Sequence, residues 1–194
     1  MLFRSNTEAV VRDFQTFIEQ GRDLKKVGEE LDLLHVKRKK FQFIEEGNNQ
    51  KLKNNYRHLT PNGDFSKWAY SKHFKGEFGV FIFDTEENKL SKIAHGDFQS
   101  DRIPDESTPQ LAWHPNGNLL AFITEKNGRL FLNTYQYDSK EKSSKELFQI
   151  EKILSMTYSP DGKNILLSGT YHGKTNVYIL PITANVPRKI TDDN

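Results

Sequence analysis

The groups in this 194-residue chain that can do chemistry are six histidines, 26 carboxylates and 28 cationic side chains. The histidines are His35, His58, His73, His95, His114 and His172. None belongs to a His-Glu-x-x-His pair or lies close to another on one predicted face, the spacing that zinc requires. Cysteine is absent, which removes disulfides, thiolate nucleophiles and sulfur-ligated metals. Ser168-Gly169 follows Leu166-Leu167 and lacks the leading glycine of Gly-x-Ser-x-Gly, so no nucleophile elbow is formed. Asp101, Asp105 and Glu106 flank Ile103-Pro104, and Asp192-Asp193 stands just before the final Asn194. Neither group offers the alternating oxygen ligands and central glycine of a calcium loop, and both read as solvated acidic segments. Gly76 and Gly79 sit in a hairpin and not between a strand and a helix, where glycines cradle phosphate. The pattern predicts no catalytic residue, no metal ligand and no cofactor.

The charge balance narrows the partners. A net charge of +2 gives no electrostatic reason for nucleic acid or an anionic membrane as a partner. Lys37-Arg38-Lys39-Lys40 is the densest basic run. It reads as a solvated strand, because Phe41 and Phe43 then alternate with polar residues; a nuclear-localisation or phosphate-binding patch is the other reading. No stretch approaches the roughly 18 apolar residues of a membrane helix. Hydrophobic residues make up 35% of the chain, yet 14 Phe, 7 Tyr and 2 Trp are too many aromatics for a solvated coil. The expectation is a polar, folded chain of thin layers.

The elements come next. Ser5-Asn6-Thr7-Glu8 has the form of a capping box. Val10, Val11, Phe14, Phe17 and Ile18 then follow a helical stripe, which Leu24, Val27, Leu31 and Leu34 continue past Gly21. Residues 1–36 are therefore expected to be a helical lead-in and 37–55 a linker or partial strand. No apolar h-region follows Met1-Leu2-Phe3-Arg4, so the sequence as given carries no signal peptide.

From residue 56 a pattern repeats. Pro61-Asn62-Gly63, Pro115-Asn116-Gly117 and Pro160-Asp161-Gly162 each follow a short strand and precede a second one. A glycine turn and a third strand come next, then a polar loop and a weaker fourth strand at 90–94, 145–149 and 188–191. Proline presets φ, Asn or Asp caps the turn, and glycine supplies positive φ. Units of 40–50 residues with four strands each predict β-propeller blades, at about 56–100, 108–150 and 153–194. An all-β sandwich with recurrent hairpins is the alternative. Blades bury their faces only against neighbouring blades, which explains the sparse apolar residues.

Ala112-Trp113-His114-Pro115-Asn116-Gly117 and Thr157-Tyr158-Ser159-Pro160-Asp161-Gly162 resemble the W-S-P-D-G turn of TolB-like, WD-repeat-like β-propellers. Lys189-Ile190-Thr191-Asp192-Asp193 resembles the close of such a blade. Asp84 and Asp138 match the family's aspartate after the third strand, with Pro181 in the third repeat. The resemblance implies a mainly β fold, a partial propeller of about three four-stranded antiparallel blades. Arg4-Ser5-Asn6 and Ala9-Val10-Val11-Arg12-Asp13-Phe14 resemble the region before the propeller in large bacterial envelope proteins. This implies a non-catalytic module that binds a protein or peptide in the periplasm or cell envelope. The alternative is an accessory propeller that gates a hydrolase domain. Propellers close with about 4–8 blades, so remaining blades are expected from a longer parent protein.

In such blades the turns between second and third strands share one face of the disc. Their tips are His73, Phe74 and Lys75, then Lys126 and Asn127, then Tyr171, His172 and Lys174. Basic and aromatic, these residues form the candidate interaction face.

Overall fold

The computed structural model describes residues 31–35, 40–45, 55–74, 77–97 and 108–192. Two compact units emerge, Met1–Asn54 and Asn55–Asn194. In the first, β1 (Leu31–His35) pairs antiparallel with β2 (Lys40–Glu45). The helical stripe predicted through Leu31 and Leu34 thus gives way to a strand. Leu31 and Leu33 also alternate as a strand requires, and here the alternating Phe41 and Phe43 strand supplies a pairing partner. Lys40 opens β2 opposite His35, while 36–39 and the rest of the expected helix lie outside the described residues.

The second unit is three four-stranded antiparallel sheets in sequence. Blade 1 comprises β3 (Asn55–Pro61), β4 (Lys67–Phe74), β5 (Glu77–Asp84) and β6 (Lys89–Asp97). Blade 2 comprises β7 (Leu111–Trp113), β8 (Leu119–Lys126), β9 (Arg129–Gln136) and β10 (Lys142–Glu146). Blade 3 comprises β11 (Lys152–Tyr158), β12 (Asn164–Tyr171), β13 (Lys174–Pro181) and β14 (Arg188–Lys189). Each sheet is a meander in chain order.

Side chains alternate across each strand, so every sheet has two faces to cover. One core cluster joins Ala69, Val80, Ile82 and Ile93 of blade 1 to Leu111, Trp113, Leu120, Phe122, Tyr135 and Tyr137 of blade 2. The opposite face of blade 2, with Ala121, Ile123, Leu130 and Leu132, packs on Ile153, Ile165, Leu167, Tyr178 and Leu180 of blade 3. The centre of each core is therefore a contact between consecutive sheets.

The first turns of the three blades are equivalent, but in a different frame from the Pro-Asn-Gly pattern. The N–H of Asn62, His114 and Ser159 donates to the carbonyl of Lys67, Leu119 and Asn164 at 2.9, 2.8 and 2.8 Å. Asp64, Asn116 and Asp161 each accept, through Oδ1, the N–H two residues on, at 2.9, 3.0 and 3.0 Å. Asn62 thus corresponds to His114 and Ser159, and Gly63 to Pro115 and Pro160. Pro61-Asn62-Gly63 is not the counterpart of Pro115-Asn116-Gly117; it lies two residues out of register. Gly117 and Gly162 take the left-handed position, at φ 74° and 71°, and Phe65 takes it in blade 1 at φ 62°. The Phe65 ring leans on Trp68 at 6.1 Å and is 55% exposed. Trp68 Nε1 donates to the Phe65 carbonyl at 3.2 Å, which helps hold this conformation. The same frame makes Gln136 and Pro181 the counterparts of Asp84. Asp138, expected to match Asp84, instead accepts from Asn118 Nδ2 at 2.6 Å.

Polar contacts repeat between blades. Trp113 Nε1 donates to the Thr60 carbonyl at 3.1 Å, and Asn62 Nδ2 to the Gly117 carbonyl at 3.2 Å. Tyr137 donates its hydroxyl to buried Asp84 at 3.0 Å. The His114 ring meets Tyr158 edge-on at 5.0 Å. β10 holds Lys142-Ser143-Ser144-Lys145-Glu146 and begins three residues before the fourth strand expected at 145–149. Its Lys142 ammonium donates to the Ile93 carbonyl of blade 1 at 2.7 Å. Lys145 donates to the Ile182 and Ala184 carbonyls of blade 3 at 2.6 and 2.5 Å. Partial desolvation lowers the Lys145 pKa, the electrostatic cost of that bridge.

Two measurements check this packing. A Cβ at Gly162 falls 2.0 Å from His114 Nε2, on a backbone that disfavours side chains. Gly162→Ala should cost about 2 kcal/mol or more in urea unfolding, and His114→Ala in the same chain should recover part of it. The second concerns Asp84. Burial raises its pKa, but N–H donors from Glu87 and Glu86 and the Tyr137 hydroxyl outweigh this and leave it below the ordinary value. A depressed carboxyl contributes stability above its unfolded pKa, lost as pH falls through the folded one. Tyr137→Phe should cost about 1–2 kcal/mol at neutral pH, and less as acid protonates Asp84 through its lowered pKa.

Candidate functional site

Two hairpins place the expected tips. Asn127-Gly128 joins β8 to β9, and His172-Gly173 joins β12 to β13, all four residues at positive φ. Two-residue loops of this kind match the twist of the strands they join, and Asn-Gly is a favoured sequence for them. Lys126 and Asn127 are exposed at the blade 2 tip, and His172 and Lys174 at the blade 3 tip. The first tip differs from the expectation. His73 is only 6% exposed, with its ring 6.5 Å from Phe78. It points to the sheet face that covers blade 2, the same parity as Ala69 and Ser71. His73 is therefore not part of an exposed interaction face. Phe74 ends β4 opposite Glu77, and Lys75 lies outside the described residues.

The blade 3 tip opens into a groove of about 540 Å³. Tyr171, His172 and Lys174 form one wall. The Tyr171 and His172 rings are 4.0 Å apart, inclined at 59°. Asn176 and Tyr178 of β13, both buried, contribute polar and aromatic surface. Val186, Pro187, Arg188 and Lys189 also line it, and Gln149 joins them from the end of blade 2. Gln149 is at φ 59°, and the neighbouring Phe148 N–H donates to the Asn185 carbonyl at 2.9 Å, tying that segment to blade 3.

The groove is basic. Lys174, Arg188 and Lys189 line it, and among the described residues no carboxylate does. Lys189 makes a salt bridge to Asp192. That hydrogen bond and the charges of Lys189 and Lys174 hold the Asp192 carboxyl below its ordinary pKa. The sequence singled out Tyr171, His172 and Lys174 but not Gln149, Val186, Arg188 or Lys189. The Arg188-Lys189 doublet was legible only as the start of a weak fourth strand, since nothing local shows that it lines the same groove as the hairpin tip. Among the described residues, no group of three His, Asp or Glu side chains is placed to hold a metal ion. No helix among them is long and apolar enough to cross a membrane.

No protein-family model matches the sequence, and no curated protein is similar to it at the sequence level. Solved structures share its architecture. TolB from Acinetobacter baumannii superposes with a TM-score of 0.63 at 13% identity, over 84% of this chain and 37% of that protein. A protein assigned as TolB from Agrobacterium tumefaciens gives 0.61 at 14%, over 86% and 56%. The β-propeller domain of the Trilobed protease from Pyrococcus furiosus gives 0.52 at 14%, over 72% and 43%. The chain therefore spans between about a third and somewhat more than half of these proteins. Its three sheets are arranged as consecutive blades, and its fold is a partial β-propeller, shared with these structures.

Proposed function

We propose that this chain is part of a non-catalytic β-propeller module that binds a protein or peptide partner in the bacterial cell envelope. The observation that carries the reading is the groove at the blade 3 tip. Three residues of the expected interaction face line it together with Arg188 and Lys189. Exposed aromatic and cationic side chains around a concavity are the usual anchors of a protein contact. The envelope location rests on resemblance to TolB.

The module extends beyond these three blades. Val177 occupies in blade 3 the position that Leu132 holds in blade 2, yet it is 39% exposed where Leu132 is 3% exposed. Leu154 and Ile190 are also exposed. Further blades from the parent protein are proposed to cover this face. A second reading, an accessory propeller gating a hydrolase, is supported by likeness to the propeller domain of a protease. A catalytic domain in the parent reading frame would favour it, and blades without one favour the first.

Selection of a random-peptide phage library on the immobilised chain tests the module. Enriched peptides are expected to bind about tenfold more weakly when Tyr171 and Lys174 are both replaced by alanine. Absence of enrichment, or binding indifferent to these substitutions, contradicts the proposed site.

A further inference from the structure

We propose that the groove beside the Tyr171–His172 tip takes an acidic peptide segment, whose carboxylates are received by Lys174, Arg188 and Lys189. This rests on the interaction-module reading and names its partner's chemistry. The first support is charge: three cations line the groove, and among the described residues no carboxylate shares the lining. A cation cluster whose carboxylate partner, Asp192, is exposed selects anionic partners and raises their encounter rate.

The second support is a carboxylate already drawn to the rim. Asp192, near the end of the chain, pairs with Lys189 and feels the charge of Lys174. Both partners of that pair are substantially exposed. Exposed pairs contribute little to stability, so this one is readily exchanged for an incoming carboxylate. Asp192 shows the group these ammonium ions accept and occupies part of the site until a ligand arrives.

The third support is the apolar part of the lining. Tyr171, Tyr178, Val186 and Pro187 line the same concavity. An inorganic anion uses none of that surface, whereas the aliphatic stems and backbone of a peptide do. The volume lies in the range that holds a small ligand or a few peptide residues. The chain's slight net charge makes a protein segment a better match than a polyanionic nucleic acid.

Fluorescence anisotropy with a labelled alternating Glu–Ala peptide tests the proposal, with an alternating Lys–Ala peptide as its counterpart. The acidic peptide should bind and the basic one should not. Lys174→Glu with Arg188→Glu should weaken binding at least about tenfold without moving the melting temperature. Lys89→Glu, an exposed position on blade 1 outside the groove and the hairpin tips, should leave binding unchanged. Asp192→Asn should tighten binding about two- to threefold by removing the internal competitor. Equal binding of both peptides, or wild-type affinity in the double variant, overturns the proposal. So does tighter binding of an oligonucleotide, or displacement of the peptide by inorganic phosphate at the peptide's own concentration. If phage selection enriches peptides without acidic residues, the interaction module stands and the acidic groove falls.

Discussion

Everything in the second unit depends on one constraint: a sheet has two faces, and an apolar face must be covered by the next sheet. Ala121, Ile123, Leu130 and Leu132 are buried only because Ile153, Ile165, Leu167 and Leu180 lie against them. Blade 2 is covered in the same way on its other side by blade 1. Burial of a side chain such as Leu132 stabilises by about 1.5–3 kcal/mol, and it exists only in the pair. This is why a chain with 35% hydrophobic residues folds without one thick core.

Polar contacts fix how the sheets meet. The turn of one blade touches the turn of the next through Asn62 and Gly117, and then through His114 and Tyr158. At the outer edge the two lysines of β10 reach opposite neighbours and bond their carbonyls. A strand with no apolar residue is held by its ladder to β9 and by ammonium donors, without a hydrophobic face of its own. The same edge leads through Leu147 and Ile150 to Gln149 and the groove, so inter-blade contacts also position the candidate site.

What was legible in the sequence follows from how local each signal is. Gly117 and Gly162 are turn residues with positive φ, and their strands and repeat spacing could be read from residues alone. In blade 1 the left-handed position is filled by Phe65, which no turn rule selects, so the conspicuous Pro61-Asn62-Gly63 drew the register two residues away. Strand β10 was misplaced because it lacks the alternation that marks a half-buried strand. His73 looked like an exposed tip, but its parity with Ala69 and Ser71 turns it inward, and parity depends on the register of the whole hairpin. Leu31 and Leu34 fit a helical stripe until a paired strand provides the stronger alternative. The groove was half visible: its hairpin wall is a local feature, and its Arg188-Lys189 wall depends on how β14 returns to β13.

The central claim is that consecutive blades are stable only as a stack. Amide hydrogen exchange on a Leu167→Ala variant tests it most directly, because Leu167 belongs to blade 3 and to the core shared with blade 2. The account predicts that protection falls together in β12 and β13 and in β8 and β9. Loss of protection confined to β12 and β13, with β8 and β9 unchanged, would contradict it.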